Sequence, residues 1–363
     1  MRKYRVGVVG VHRGAGFVHQ FPAFPNAEIA ALCDLNTEVL AEVGRPLGVP
    51  DERLFTRYED LLNAPIDVVV VSTPMPYHAD QVIAALESGK HVLSEVTAAT
   101  TIEDCARIVE AVKRTGLTYM MAENCCYYHF IREWKGWIDQ GRLGQIFYAE
   151  AEYLHALHDL IVDPKTGRRT WRADRPPIYY CTHSLGPLLM LMDDRVVQAT
   201  GAHSGWGILP QELGMGALNM EVALFKTQKG AVIKILRSSA AHREPPMHYY
   251  SLYGTRGFVE TDRAGGWRGG KGKLYIAGEM SPEEGFAVID CPAADPAAPP
   301  EAQLGGHGSA EYYLIQDFLT ALDQGTRPPI DVIRAMDFTV PGICAHQAAM
   351  SGGGWVDVPL FEW

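Results

Sequence analysis

No two of the seven cysteines stand as a C-x-x-C pair, and their number is odd. That argues against a disulfide framework and against a structural zinc site. No apolar run approaches the length of a membrane span, and the opening Met1–Gly10 stretch is too short for a signal h-region. The reading is therefore a reduced, cytoplasmic protein without a membrane partner. Basic residues are also scarce: 32 Lys and Arg stand against 43 Asp and Glu, for a net charge of −11. A chain with that balance lacks the basic face that nucleic acids and anionic membranes demand. What is present is ordinary for a soluble globular chain: 363 residues, 47% hydrophobic and 21% charged. That length points to two domains.

The first third alternates between two textures. Tyr4–Val11, Glu28–Cys33, Asp67–Val71, His91–Leu93 and Leu117–Met121 are short apolar runs. The Asp67–Val71 run is continuous, as expected of a strand buried on both faces. Between the runs, Thr37–Val43, Tyr77–Ser88 and Ile102–Arg114 carry apolar residues at helical spacing. Repeated strand–helix–strand units predict a parallel sheet with right-handed crossovers. Beyond about residue 125, Ile146–Leu154, Leu218–Lys226, Ala231–Leu236, His248–Gly254 and Phe258–Thr261 alternate or are rich in β-branched and aromatic residues. A helix is expected near His183–Met192, and two more over Ala310–Leu322 and Asp331–Met350. Ala264–Lys273 and Cys291–Gly308, rich in Gly, Pro and Ala, read as long loops. The expected fold class is α/β, with an N-terminal dinucleotide-binding domain over 1–124. An α+β domain with a large, mostly antiparallel sheet follows over 125–363. The final helix is a candidate to pack back on the first domain.

The turn after the first strand reads Gly10-Val11-His12-Arg13-Gly14-Ala15-Gly16. Backbone N–H groups can approach a pyrophosphate there because several positions lack side chains. The G-x-G-x-x-G pattern is imperfect, since His12 and Ala15 take two of the glycine positions. The context is stronger than the motif. A strand precedes, a helix follows, and Asp34 closes the second strand at about the spacing of 20 residues expected for a ribose-binding carboxylate. A carboxylate at that place repels a 2′-phosphate, so NAD is favoured over NADP. Arg13 is a candidate phosphate neighbour.

Several segments together resemble the Gfo/Idh/MocA oxidoreductase family. They are the Gly10–Gly16 turn, Ser72-Thr73-Pro74 with Tyr77-His78, and Gly89-Lys90-His91-Val92 leading to Glu95. The resemblance implies a Rossmann domain holding NAD(P), then a sheet domain that forms the substrate pocket and often an oligomer interface. With the turn residues, the candidate cofactor contacts are Gly10, His12, Arg13, Gly14, Asp34, Thr73, Pro74, His78, Glu95 and Asn124, the last a candidate for either the nicotinamide or a sugar hydroxyl. One departure is informative. Dehydrogenases of that family usually carry Glu-Lys-Pro where this chain has Glu95-Val96-Thr97. Valine cannot move a proton, so a simple alcohol dehydrogenase is disfavoured.

Three further segments are similar to the NAD-dependent glycosidases of glycoside hydrolase family 109. They are Met121–Tyr127, then Tyr180-Cys181-Thr182-His183-Ser184-Leu185-Gly186-Pro187, then Gly305-Gly306-His307-Gly308. A related group acting on sulfonated sugars is similar in plan. The resemblance implies cleavage by transient oxidation at C3 of a sugar, loss of the C2 proton, expulsion of the aglycone, addition of water and re-reduction. Such a route needs proton carriers in place of the two carboxylates of other glycosidases. His183 is the leading candidate for the C3 hydroxyl proton. Tyr127 and Tyr180 are candidates for the C2 proton or the leaving oxygen, and His307 for a substrate contact from the second domain.

A basic stretch from Lys165 to Arg175 includes Arg168, Arg169, Trp171 and Arg172. Arg169 and Arg172 could clamp a uronate, sulfonate or phosphate, with Trp171 stacked on a sugar face. Plainer alternatives stay open. The basic stretch could be a solvated loop, Tyr127 a helix-start aromatic, His183 a helix-terminal hydrogen bonder and His307 a loop residue. His155, His158 and Asp159 have ligand spacing but no fourth partner in sequence, so no metal is expected. The favoured function is an NAD-dependent glycosidase acting on a small sugar glycoside, neutral or anionic, in a homo-oligomer joined through the C-terminal sheet. The alternatives are an NAD-dependent sugar or cyclitol dehydrogenase, with His183 standing in for the missing Lys, and a silent NAD-binding sensor.

Overall fold

Strands covered on both faces must be apolar throughout, and the valines Val68–Val71 are all buried. In the computed structural model, which describes residues 2–241, 247–263, 270–283 and 285–363, they form the fourth of six parallel strands. The strands are β1 (Tyr4–Val9), β2 (Ala27–Cys33), β3 (Leu54–Phe55), β4 (Val68–Val71), β5 (His91–Ser94) and β6 (Tyr119–Met121). Their order is β3-β2-β1-β4-β5-β6. This is the doubly wound Rossmann order, with its switch point between β1 and β4.

The helices between these strands are α1 (Val11–Gln20), α2 (Thr37–Gly44), α3 (Tyr58–Leu62), α4 (His78–Glu87) and α5 (Ile102–Thr115). α5 shows why the sequence folds locally. Thr101 caps it by accepting from the Asp104 N–H at 3.0 Å. Glu103 and Asp104 occupy the first turn, and Lys113 and Arg114 the last, as the helix dipole favours. Its buried side chains Cys105, Ile108, Val109 and Val112 make one apolar stripe.

The chain divides into two compact units. The first comprises the chain up to Tyr127, Pro296–Met336 and Phe361–Trp363; the second comprises Tyr128–Asp295 and Asp337–Leu360. The second unit starts with α6 (His129–Asp139). It holds β7 (Ile146–Leu154), α7 (His158–Ile161), α8 (Thr182–Met192), β8 (Val196–His203), β9 (Glu221–Thr227) and β10 (Val232–Ser238). β11 (His248–Gly254), β12 (Gly257–Thr261), β13 (Gly270–Ile276) and β14 (Ala287–Cys291) follow. α9 (Ala310–Gln324) belongs to the first unit, most of α10 (Val332–Met350) to the second, and β15 (Val356–Asp357) closes the sheet edge. The nine strands run β14-β13-β12-β11-β7-β10-β9-β8-β15. All pairs are antiparallel except β7 with β10. α8 lies against β7 and β11.

Three expectations need correction. A single boundary at 124/125 does not describe the chain, because Pro296–Met336 returns to the first unit. The helix that packs there is α9, whose Tyr312 stacks on Phe24 at 4.8 Å between ring centroids, while the final helix is mostly in the second unit. The expected loop Ala264–Lys273 ends in strand, since 270–273 open β13; 264–269 lie outside the described residues. β3, β8, β14 and β15 escaped notice, the first and last being only two residues long. β8 mixes small residues without clean alternation, and β14 is an exposed strand at the sheet's edge.

Candidate functional site

In the first unit the functional residues gather at the carboxyl ends of β1, β2, β4 and β5. Gly10 ends the β1 turn with φ +82°, and a Cβ there would stand 2.6 Å from the Ser72 carbonyl oxygen. Only glycine fits. No side chain caps the start of α1 and no acidic residue occupies its first turn, so its N–H groups suit an anion. Asp34 accepts the His12 N–H at 3.3 Å and the Asn36 N–H at 3.0 Å, which fixes its carboxylate beside this turn. Leu35, which sequence reasoning passed over, is 91% exposed immediately after it.

Arg13 lies on Glu95 at 2.9 Å, and Glu95 also accepts the Val96 N–H at 3.2 Å. His78 is fully buried, with Nδ1 2.8 Å from the Thr97 carbonyl and Nε2 2.8 Å from the Thr73 carbonyl. Burial pushes its imidazole below the ordinary histidine range. With both nitrogens on main-chain carbonyls, His78 braces the Thr73-Pro74 turn; direct contact with a cofactor is the part of that expectation the geometry does not favour. Thr73 itself bonds Gln81 through its hydroxyl at 2.5 Å. Val96 is buried, as an apolar replacement for a proton carrier should be.

The segment that returns to the first unit supplies a second group of contacts. Glu311, on α9, pairs with His307 Nδ1 and accepts from Asn124 Nδ2 at 3.4 Å. Burial is the largest single influence and raises the Glu311 carboxyl, but the bond to and charge of His307, a backbone bond and the Asn124 bond together outweigh it and hold the group below the usual carboxylate range. Gly305 is required here, since a Cβ would stand 2.5 Å from the Glu311 Cβ. The Tyr127 hydroxyl donates to Asp317 Oδ2 at 3.0 Å. His307 was expected to act from the second domain. It belongs to the first unit, because the Pro296–Met336 segment crosses back. Glu311 and Asp317 were missed; the i, i+4 spacing of His307 and Glu311 at a helix start was the available signal.

The second unit holds a different arrangement, centred on His183 in the first turn of α8. Its side chain is 7% exposed, and its carbonyl accepts the Tyr250 hydroxyl at 2.6 Å. Its ring meets Tyr180 edge-on at 4.8 Å and Tyr153 at 5.5 Å. Register explains the rest. His248 of β11 is paired opposite Tyr153 of β7, and the two rings stack at 4.3 Å. The Tyr153 hydroxyl lies 2.9 Å from His155 Nδ1. His158 turns instead to the Ala240 carbonyl at 3.0 Å, so the two imidazoles of the considered metal spacing serve different partners. Tyr153, His248 and Tyr250 were not anticipated; they become neighbours of His183 only through cross-strand pairing.

The basic stretch separates into unlike members. Arg169 forms an ion pair with Asp174, which makes it a poor clamp for a ligand anion. Arg172 lies over the Trp171 ring at 4.5 Å. Arg175, by contrast, is buried over the Tyr180 ring at 4.6 Å. Burial, and then the neighbouring Arg237, push its guanidinium down to about 9.

The six-stranded Rossmann unit followed by a large sheet is the fold of a two-unit NAD-binding oxidoreductase family. A family profile described as "Oxidoreductase family, NAD-binding Rossmann fold" matches residues 4–123. The chain belongs to the Gfo/Idh/MocA family. It is 30% identical to a glycosyl hydrolase family 109 protein of Shewanella putrefaciens, over 98% of this chain and 84% of that one. Among solved structures, levoglucosan dehydrogenase in complex with NADH and L-sorbose matches with TM-score 0.82 at 21% identity, over 99% of this chain and all of that one. Aldose-aldose oxidoreductase from Caulobacter crescentus, complexed with glycerol, matches with TM-score 0.77 at 19% identity, over 98% and 100%.

The first unit fits the NAD that this fold implies. Asn124 Oδ1 is buried without a hydrogen-bond partner, the Gly10 turn has no room for a side chain, and Asp34 is positioned to receive ribose hydroxyls. Among the described residues no helix is long and apolar enough to cross a membrane.

Proposed function

We propose that the protein is an NAD-dependent glycoside hydrolase that cleaves its substrate by transient oxidation at C3. The observation that carries this reading is the phenol and imidazole cluster around His183, in a chain whose Glu95 is followed by a buried valine. Bound NAD supplies a reversible hydride acceptor, so the overall reaction is redox-neutral. The residues that would hold it are Gly10, His12, Arg13, Gly14, Asp34, Thr73, Pro74, Glu95 and Asn124, with His78 supporting the turn.

The chain's own groups move protons. His183 takes the proton of the sugar's C3 hydroxyl and returns it at the end of the cycle. With C3 at the ketone level the C2 proton is acidic, and Tyr127 or Tyr180 removes it as a phenolate. The aglycone on C1 then leaves with a proton from the other phenol, and water adds across the resulting double bond. Asp317 holds the Tyr127 hydroxyl in one direction, which suits a group that must donate and accept along a fixed line. His307, held by Glu311, is a further substrate contact. Copies associate through the large sheet, where Phe147, Leu224 and Val288 are exposed.

A panel of aryl α- and β-glycosides with trace NAD tests the reaction. Aglycone release far beyond the NAD supplied, without net NADH, is the expected result. NADH growing in step with substrate loss, without aglycone, would make the protein a sugar or cyclitol dehydrogenase. NAD binding with no turnover on any substrate would make it a sensor.

A further inference from the structure

β10 alternates correctly until its end: Ile233 and Ile235 face the core, and the next residue on that face is Arg237. An arginine thus occupies a position that the strand reserves for an aliphatic side chain. It is 0% exposed, and Arg175 beside it is 4% exposed. Arg237 Nη1 donates to the Tyr153 carbonyl at 3.0 Å and to the Ser238 carbonyl. Arg175 Nη2 donates to Ser239 Oγ at 3.2 Å. Arg175 Nε, Arg237 Nε and Arg237 Nη2 are buried and meet no acceptor.

Among the described residues neither guanidinium forms an ion pair. The carboxylate that bears on Arg237 is Glu221, and it is engaged elsewhere, by His346 Nδ1 at 2.6 Å and the Ile178 N–H at 2.8 Å. Asp174 is taken by Arg169. The remaining neighbours are rings: Arg237 lies 4.2 Å from the Tyr153 centroid, and Arg175 4.6 Å from that of Tyr180. Cation–π contact is weak beside the cost of burying two like charges together. A fold keeps such a pair where a negative group completes it, and guanidinium forks match planar and tetrahedral oxyanions. These are the rings that also surround His183.

We infer that Arg175 and Arg237 form a receptor for an oxyanion carried by the substrate: a carboxylate, sulfonate or phosphate on the sugar. That the carrier is a sugar rests on the glycosidase reading; the receptor itself does not. The clamp is therefore Arg175 with Arg237, and the exposed Arg169 has no part in it.

The test is a binding measurement on the full chain with NAD present. Sodium sulfate and sodium acetate are titrated against sodium chloride at constant ionic strength. Tryptophan fluorescence and the thermal midpoint are followed, with Trp171→Phe identifying the reporter that Arg172 and Arg175 flank. The expected result is a saturable response to sulfate or acetate that weakens at least tenfold in Arg175→Gln. Glucuronate should likewise bind at least tenfold tighter than glucose in the wild type, and lose that advantage in the variant. No saturable response in the wild type, or an equal one in Arg175→Gln, overturns the receptor. A tyrosinate absorbance at neutral pH that disappears in Arg175→Gln also overturns it, because the balancing charge is then an ionised tyrosine of the chain. Should Arg237→Gln fail to fold, Arg175→Gln decides alone. Since no readout depends on turnover, an intact anion response without aglycone release rejects the glycosidase reading and leaves the receptor standing.

Discussion

In the first unit, the charged side chains beside the nucleotide turn have partners of opposite sign. Arg13 lies on Glu95, and His307 on Glu311. In the second unit, Arg175 and Arg237 are buried among tyrosines and histidines, with no ion pair among the described residues. The first arrangement suits a site that presents backbone N–H groups to a phosphate, where side-chain charge is best neutralised in place. The second suits a site that must move protons and receive charge from outside. Phenol and imidazole change ionisation without leaving the fold, and uncompensated cations favour whatever anion arrives.

The comparison can be broken most severely at His183. His183→Ala should lower kcat by about 10²–10⁴, the usual contribution of a general acid–base group, while NAD affinity stays within about twofold. Steady-state kinetics and fluorescence titration of NAD check both parts. Near-normal kcat would remove His183 from the chemistry. Asp34→Ala should do the reverse. It should weaken NAD about tenfold to a hundredfold and relax the bias against NADP, because a charged bond to ribose hydroxyls is lost. Unchanged selectivity would take Asp34 out of the site.

Glu311 provides an effect on stability that depends on pH. Its folded carboxyl titrates below its unfolded value, so the stabilisation is present above about pH 4.3 and is lost as pH falls through the lowered value. Urea midpoints of the wild type should therefore fall on acidification through that window more steeply than those of Glu311→Gln. Parallel curves would mean that the His307 pair contributes nothing. The smallest effect belongs to Asn36, two residues from Asp34. Its Oδ1 accepts the Glu38 N–H at 2.9 Å and caps α2. Asn36→Ala should cost about 1 kcal/mol in urea unfolding with NAD selectivity unchanged. A selectivity change there would blur the line between the carboxylate that reads ribose and the amide that caps a helix.

Much of the first unit was readable because its signals are local. A buried parallel strand needs a continuous apolar run, a phosphate turn needs glycine, and a ribose carboxylate follows at a set spacing. Val68–Val71 and Gly10 stand where those rules put them, and Asp34 lies beside the turn. Most strands of the second unit were readable too, but its cluster of rings was not, because that cluster is made of pairings across strands. Nothing near Tyr153 in sequence announces His248; the β7–β11 register does. The basic stretch shows the same limit, since Arg169, Arg172 and Arg175 look alike in sequence, yet one is ion-paired, one lies on an indole and one is buried.

The sequence by itself determined the α/β class and five of the six strands of the first unit, and it carries Asp34 and Val96, from which an NAD preference and the lack of a lysine were inferred. The class and the strands follow from periodicity, the reading of Asp34 from the chemistry of a carboxylate, and that of Val96 from the family the sequence resembles. Only the tertiary structure decided that Pro296–Met336 returns to the first unit with His307 and Glu311, and that Arg237 joins Arg175 beneath Tyr153 and Tyr180. The reason is physical. Strand alternation states which face a residue takes, but the partner it meets there is chosen by long-range register and chain return, which no local pattern encodes.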